Sequence, residues 1–137
     1  MAQNARLRVG PVALTTTTTT NLLNPAAAGA GTGYTPTASY IELNHIRAVN
    51  KTNGAINVAL WLGATGANLA GTEIVWGGVA TAGALNAGTG VSVGANSFAE
   101  WFGRLVIKST DFLVGGASAA GLTFEAEGET GLAGPVV

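Results

Sequence analysis

The stretch Ala55-Ile56-Asn57-Val58-Ala59-Leu60-Trp61-Leu62 alternates with a period of two. In an extended chain Ile56, Val58, Leu60 and Leu62 share one face, while Ala55, Asn57, Ala59 and Trp61 share the other. Arg104-Leu105-Val106-Ile107-Lys108 repeats the pattern, with Leu105 and Ile107 inward. So does Leu122-Thr123-Phe124-Glu125-Ala126-Glu127, with Leu122, Phe124 and Ala126 on one side. Strict alternation marks strands with one wet face, as in antiparallel sheets. Ala is a strong helix former, but here it is interleaved with Gly, Thr, Asn and Val, which are poorer ones.

Working outward, Asn50-Lys51-Thr52-Asn53-Gly54 separates Tyr40–Val49 from the decisive stretch, and Asn53-Gly54 carries a hairpin signal because both residues tolerate positive φ. Further breaks fall at 63–71, 77–78, 83–90, 109–111 and 115–116. The resulting strands lie at about 6–14, 15–22, 39–49, 55–62, 72–77, 90–93, 99–108, 111–115 and 121–127. Asn96–Trp101 is the one place where a helical turn is expected. Short strands at this spacing predict an all-β fold: a single antiparallel β-sandwich of jelly-roll-like form. Residues 1–12 read as an extended N-terminal arm, 13–128 as the sandwich domain and 129–137 as a C-terminal tail. The run Thr15–Thr20 reads as a paired strand, since Thr is β-branched. Asn21–Thr37, with Pro25, Pro36 and three glycines, reads as a long surface loop.

The chain of 137 residues is long enough for one core and too short for two. Charged residues are only 9%, and six basic against seven acidic residues leave a net charge of −1, so no basic field is available for nucleic acid or anionic lipid. The chain has no cysteine, which removes disulfide frameworks, zinc knuckles and thiol catalysis. One histidine cannot build a multi-histidine metal site. The long uncharged stretches Val9–Ile41, Thr52–Thr72 and Ile74–Ala99 are each broken every few residues by Gly, Asn, Thr or Pro, so none reads as a membrane-spanning helix. No apolar segment backs the charges at Arg6 and Arg8, so no signal peptide is expected.

Candidate chemistry is sparse. A Ser–His–Asp arrangement would need His45, Asp111 and one of five scattered serines, without a G-x-S-x-G turn. His45 lies on the alternating stretch Ile41–Arg47 and reads as a hydrogen-bonded strand histidine. Glu125, Glu127 and Glu129 share one strand face, open to three readings: a solvated face, salt bridges between subunits, or Ca²⁺ ligands without an EF-hand spacing. Glu42, Glu73, Glu100 and Asp111 supply the carboxylates for a hydrolase, with nothing in their spacing to pair them. The glycine-rich Gly63–Asn68 lacks the Gly-Lys-Ser/Thr ending of a phosphate loop. Trp61 points away from its apolar neighbours, so it either fills a second apolar layer or anchors a protein interface. Trp76, Phe98, Trp101 and Phe102 face the same choice. With so few ions the exterior must be largely Ala, Thr, Gly, Asn and Ser, which suits close packing against neighbours. A subunit of an assembly is expected, with no enzymatic activity, cofactor or metal.

The segment His45-Ile46-Arg47-Ala48-Val49-Asn50-Lys51-Thr52, followed by Ile56–Leu62 ending in Gly63-Ala64-Thr65-Gly66, resembles small virion proteins of tailed bacteriophages, in particular capsid decoration (cement) proteins. Lys108-Ser109-Thr110-Asp111-Phe112-Leu113 and the stretch Ala117–Gly128 look like the closing strands of such modules, so the resemblance covers roughly residues 40–128. It implies a structural protein, often trimeric, clamped on the outer capsid at junctions between capsomers and made in the host cytoplasm. The implied partners are the major capsid protein and the chain itself as a homotrimer, with no nucleic acid and no membrane. Related modules also occur in tails, connectors and fibres. Candidate contacts are Arg6 and Arg8, pairing with shell carboxylates, and Leu7 and Val9, adding a strand to a neighbour's edge. The Asn21–Thr37 loop, Trp61, Trp76 and Trp101 are further candidates. A carbohydrate-binding sandwich for host attachment, with the three tryptophans as its platform, is the competing expectation.

Overall fold

The computed structural model of the chain describes residues 5–29, 34, 38–68 and 71–131. Its strands are β1 (Ala5–Ala13), β2 (Asn21–Leu23), β3 (Tyr40–Asn50), β4 (Ile56–Gly63), β5 (Glu73–Ile74), β6 (Ala80–Thr81), β7 (Ala84–Leu85), β8 (Val91–Val93), β9 (Ser97–Lys108), β10 (Phe112–Ala117) and β11 (Leu122–Gly131). Two antiparallel sheets pack face to face. One runs β1-β11-β3-β9, and the other runs β2-β10-β4-β5 with β8 also on β4. Because β5 meets β4 at Leu60 and Trp61 while β8 meets it at Ile56–Val58, the two short strands lie end to end along one flank. First then pairs with last (β1–β11), second with next to last (β2–β10) and third with β9, while β4 closes on its own successors. That nesting is a long antiparallel ribbon rolled into two layers, the jelly roll expected from the short alternating strands.

The core lies between the sheets. It holds the inward rows Ile41, Leu43, Ile46 and Ala48 of β3, Leu122, Phe124 and Ala126 of β11, and Ile56, Val58 and Leu60 of β4, all buried. Each large apolar side chain in it contributes about 1.5–3 kcal/mol. A smaller second core forms on the outside of β4 and β10. Ala59, Trp61 and Val114 are buried there beneath Ala80, Leu85 and Phe112, so the β6–β7 ribbon is a partial third layer. Its two-residue turn is Ala82-Gly83, both at positive φ (52° and 79°), the geometry that matches strand twist in tight hairpins.

Four expectations change. Residues 5–12 do not stand off as an arm: they form most of β1, with Val9 fully buried and Ala5–Val9 in register with Thr130–Ala126. The alternation that suggested strand addition to a neighbour is satisfied inside the chain. Residues 129–131, expected in a tail, complete β11; residues 1–4 and 132–137 lie outside the described ones. Asn53-Gly54 closes no hairpin, since β3 and β4 belong to different sheets and neither residue has positive φ. The chain there turns a corner between layers. The segment expected as a helical turn is instead the start of β9, entered through Asn96 at φ 52°.

The threonine run is not a strand either. Its hydroxyls serve its own backbone: Thr17 N donates to Thr15 Oγ1 (3.2 Å) and Thr20 Oγ1 donates to the Thr17 carbonyl (2.8 Å). Such local bonds compete with a ladder. Only the ends hydrogen-bond to β10, through Ala117 N to Thr15 O and Gly115 N to Thr20 O, while Thr17 and Thr18 pack over Gly116. Thr18 alone is fully buried, and Asn68 Nδ2 donates to its hydroxyl at 3.0 Å. Thr18→Val therefore costs about 1–2 kcal/mol by stranding that donor, whereas Thr16→Val, at an exposed position, stays within about 0.5 kcal/mol. Urea midpoints of the two variants check the difference.

Candidate functional site

The outer face of the β1-β11-β3-β9 sheet carries nearly all the ions of the protein. β1 presents Arg6 and Arg8; β11 presents Glu125, Glu127 and Glu129; β3 presents Glu42 and Arg47; β9 presents Glu100, Arg104 and Lys108. These are five of the six basic and five of the seven acidic residues, and the sole histidine joins them. Register sets the rows. Arg8, Glu127, His45 and Phe102 lie side by side across all four strands, as do Glu125, Arg47 and Glu100 across three.

Three cross-strand pairs tie the face together. His45 Nε2 lies 2.6 Å from Glu100 Oε2, Arg47 Nη2 donates to Glu125 Oε1 at 2.7 Å, and Arg104 Nε lies 3.1 Å from Glu42 Oε1. Each contributes on the order of 0.2–1 kcal/mol, because the face is in contact with solvent. The His45 ring also stacks on Phe102, with centroids 4.4 Å apart and planes 7° from parallel. His45 is thus engaged by a carboxylate and a ring, as a strand histidine is expected to be. Arg6 and Arg8 are exposed and have no carboxylate within 4.0 Å among the described residues.

At Asn44 the β3 register shifts against both neighbours. Gly128 sits opposite this irregularity, where a Cβ would collide with the Glu42 carbonyl. Beside it an open depression of about 450 Å³ is lined by Arg6, Leu7, Arg8, Asn44, His45, Glu127, Gly128 and Glu129. Its lining mixes guanidinium and carboxylate groups, which suits a polar protein surface better than a small apolar ligand. No group of three or more metal-ligating side chains occurs among the described residues.

The other candidates are dispersed. Trp61 is fully buried in the second core, so of its two expected roles the structure takes the packing one. Trp76 is 6% exposed and belongs to the main core, which Trp101 also packs against from the inner side of β9. The three tryptophans therefore form no sugar platform. Val9 is buried, Leu7 is half-buried against the core, and only Arg6 and Arg8 of the N-terminal candidates reach outward. The Asn21–Thr37 loop begins with buried Leu22 and Leu23. It is pinned by Asn24, whose Nδ2 donates to the carbonyls of Ser109 (3.0 Å) and Asp111 (2.7 Å). Residues 30–33 and 35–37 of that loop lie outside the described ones. Among the proposed acids, Glu42 and Glu100 are engaged in the pairs above, and Glu73 accepts from Gly71 N at 2.6 Å.

Compared with protein-family models, curated proteins and solved structures, the chain gives no match. Its role rests on its own surface. Sequence reading missed the exposed row Phe98, Phe102 and Val106 of β9 as a unit. The signal was present as alternation through Ser97–Lys108, but it starts two residues before the expected strand.

Proposed function

We propose that the protein is a non-enzymatic structural subunit of a bacteriophage virion, seated on the outside of the capsid where capsomers meet and stabilising the shell. One observation carries this reading: the ionic groups are gathered on a single sheet face, with only Lys51, Glu73 and Asp111 elsewhere. The opposite side, formed by the threonine run and the β6–β7 ribbon, is mostly Thr, Ala and Gly, with Leu85 in the ribbon and Glu73 of β5 on the same outward side as Trp61. A surface of that kind can be covered broadly with few ions to desolvate, while the charged face keeps the particle surface wet. By fold-level analogy the jelly roll agrees, since it recurs in viral capsid and lectin domains. The partner is the major capsid protein.

Binding to the assembled shell and not to free subunits stabilises the shell by mass action. Weak contacts made by several copies combine through effective concentration. Particles lacking this chain are expected to lose their genome at a lower temperature than complete ones, and added purified chain is expected to restore the loss temperature. Ala84→Lys, on the exposed neutral ribbon, should fail to restore it, because burying an unpaired ammonium costs about 3–5 kcal/mol. Particles of equal heat resistance that never bind the added chain would overturn the proposal.

A further inference from the structure

Four sheet edges are open to solvent or to a partner, and they differ. In one sheet the ends are β2, β5 and β8, each of two or three residues. In the other, β1 is interrupted by a register shift between Val9 and Val12 and carries Pro11, which lacks an N–H. Short strands, irregularities and proline all blunt an edge against pairing. β9 is neither short nor interrupted by proline, and its register against β3 shifts once, where Gly103 and Arg104 stand against Asn44. It runs for 12 residues, pairs on one side with β3, and has no strand on its other side among the described residues.

β9 also concentrates apolar exposure. Phe98 (57%), Phe102 (70%) and Val106 (41%) are three of the four exposed large hydrophobic residues, and all share its outward row. Between them stand Glu100 and Arg104, so the row reads Phe98-Glu100-Phe102-Arg104-Val106. This order is self-complementary when reversed. Apolar residues lie at the centre and both ends, and opposite charges lie between.

We propose that two copies of the chain pair their β9 strands antiparallel about a two-fold axis at Phe102, joining two four-stranded sheets into one. In that register Phe102 faces Phe102, each Glu100 faces the partner's Arg104, and each Phe98 faces the partner's Val106. Neighbouring registers are worse. Centring on Glu100 or Arg104 sets like charges against each other on the axis, and centring on Trp101 or Gly103 sets Phe102 against a charge. On the inward row the chosen register places Trp101 opposite Gly103 and Ala99 opposite Leu105; the Trp101 indole already lies over Gly103 of its own strand. The side chains are already positioned: the Phe102 ring is held by stacking on His45, and His45 holds Glu100 Oε2. Arg104 Nε lies 3.1 Å from Glu42 Oε1, and the Arg104 side chain stays 75% exposed, within reach of a second carboxylate. Cross-strand apolar and opposite-charge pairs of this kind stabilise an antiparallel ladder, and an isologous contact is the commonest way for identical chains to associate. The pairing does not depend on the virion reading.

Sedimentation equilibrium of the full chain at high micromolar concentration should give twice the 13.5 kDa chain mass; a monomer or a trimer overturns the proposal. The register is tested by single cysteines, because the chain has none of its own. Residues directly opposite lie about 4.5–5.5 Å apart between Cα atoms, within disulfide reach. Phe102→Cys should therefore cross-link to itself on mild oxidation. Phe98→Cys and Val106→Cys should each stay uncross-linked alone, with like positions about 27 Å apart, and cross-link when mixed. Failure of Phe102→Cys to link, or self-linking of Phe98→Cys, overturns the register. Arg104→Glu and Glu100→Arg should each weaken self-association by about tenfold to a hundredfold, yet associate with each other, since the mixed pair restores two opposite-charge contacts. The exposed cysteine positions remain informative if either charge variant fails to fold.

Discussion

Trp61→Ala is expected to lower the unfolding free energy by about 3–5 kcal/mol, the range for removing a fully buried large aromatic side chain. The indole points outward from the main core, yet it has no exposed surface because Ala80, Leu85 and Phe112 cover it. Truncation would open a cavity between β4, β10 and the β6–β7 ribbon, whose other ties include the Thr18 N to Gly83 O hydrogen bond at 2.8 Å. The loss should appear in urea or thermal unfolding of the isolated chain, with no partner present. Trp61→Phe separates the causes. Trp61 Nε1 is buried without a hydrogen-bond acceptor. A phenyl ring removes that stranded donor while keeping most of the volume, so its net cost should stay within about 1 kcal/mol. If Trp61→Ala left the isolated chain as stable as before, the second core would be wrong and the side chain would belong to an interface.

Asn50→Leu is expected to cost about 3 kcal/mol, although the two side chains are close in size. Asn50 is fully buried at the end of β3. Its Nδ2 donates to the carbonyls of Gly54 (2.8 Å) and Val93 (3.0 Å), and its Oδ1 accepts from Thr52 N (2.9 Å) and Thr52 Oγ1 (2.7 Å). This one amide fixes the corner where the chain leaves one sheet for the other, and it binds that corner to β8 of the second layer. Leucine would take the side-chain donor from the buried Val93 carbonyl and the acceptor from Thr52 N, while the Gly54 carbonyl keeps the Thr52 hydroxyl at 2.9 Å. Asn50→Asp keeps the shape but turns a carboxylate oxygen toward two carbonyl oxygens, so a loss of similar size is expected. Chemical denaturation of both variants checks this. An unchanged midpoint for Asn50→Leu would mean that the corner is held by something other than the amide.

The candidate site was partly visible before the fold. Alternation alone places Glu125, Glu127 and Glu129 on one strand face, and Arg104 and Lys108 on another. That those two faces are the same face, with Arg47 and His45 between them, follows only from the order β11-β3-β9 and its register. Likewise Leu7 and Val9 were legible as residues of an extended segment that adds a strand to an edge. Which edge they complete was not, because strand addition in cis and in trans have the same local pattern.

Period-two alternation determined the all-β character, most strand positions and the inward rows, because side-chain direction along a strand is a local property of the backbone. Scarcity of charge determined that few ions would be available anywhere. Contacts distant in sequence decided the rest. Six identical threonines contain one buried residue, Thr18, chosen by where Asn68 and Gly83 arrive. An Asn-Gly pair that suits a hairpin became a corner between layers because β3 found partners in β11 and β9 instead of in β4. An outward tryptophan became a core residue because a ribbon twenty residues later folds over it. Pairing and covering are set by free energy summed over both sheets, and no single segment carries that information.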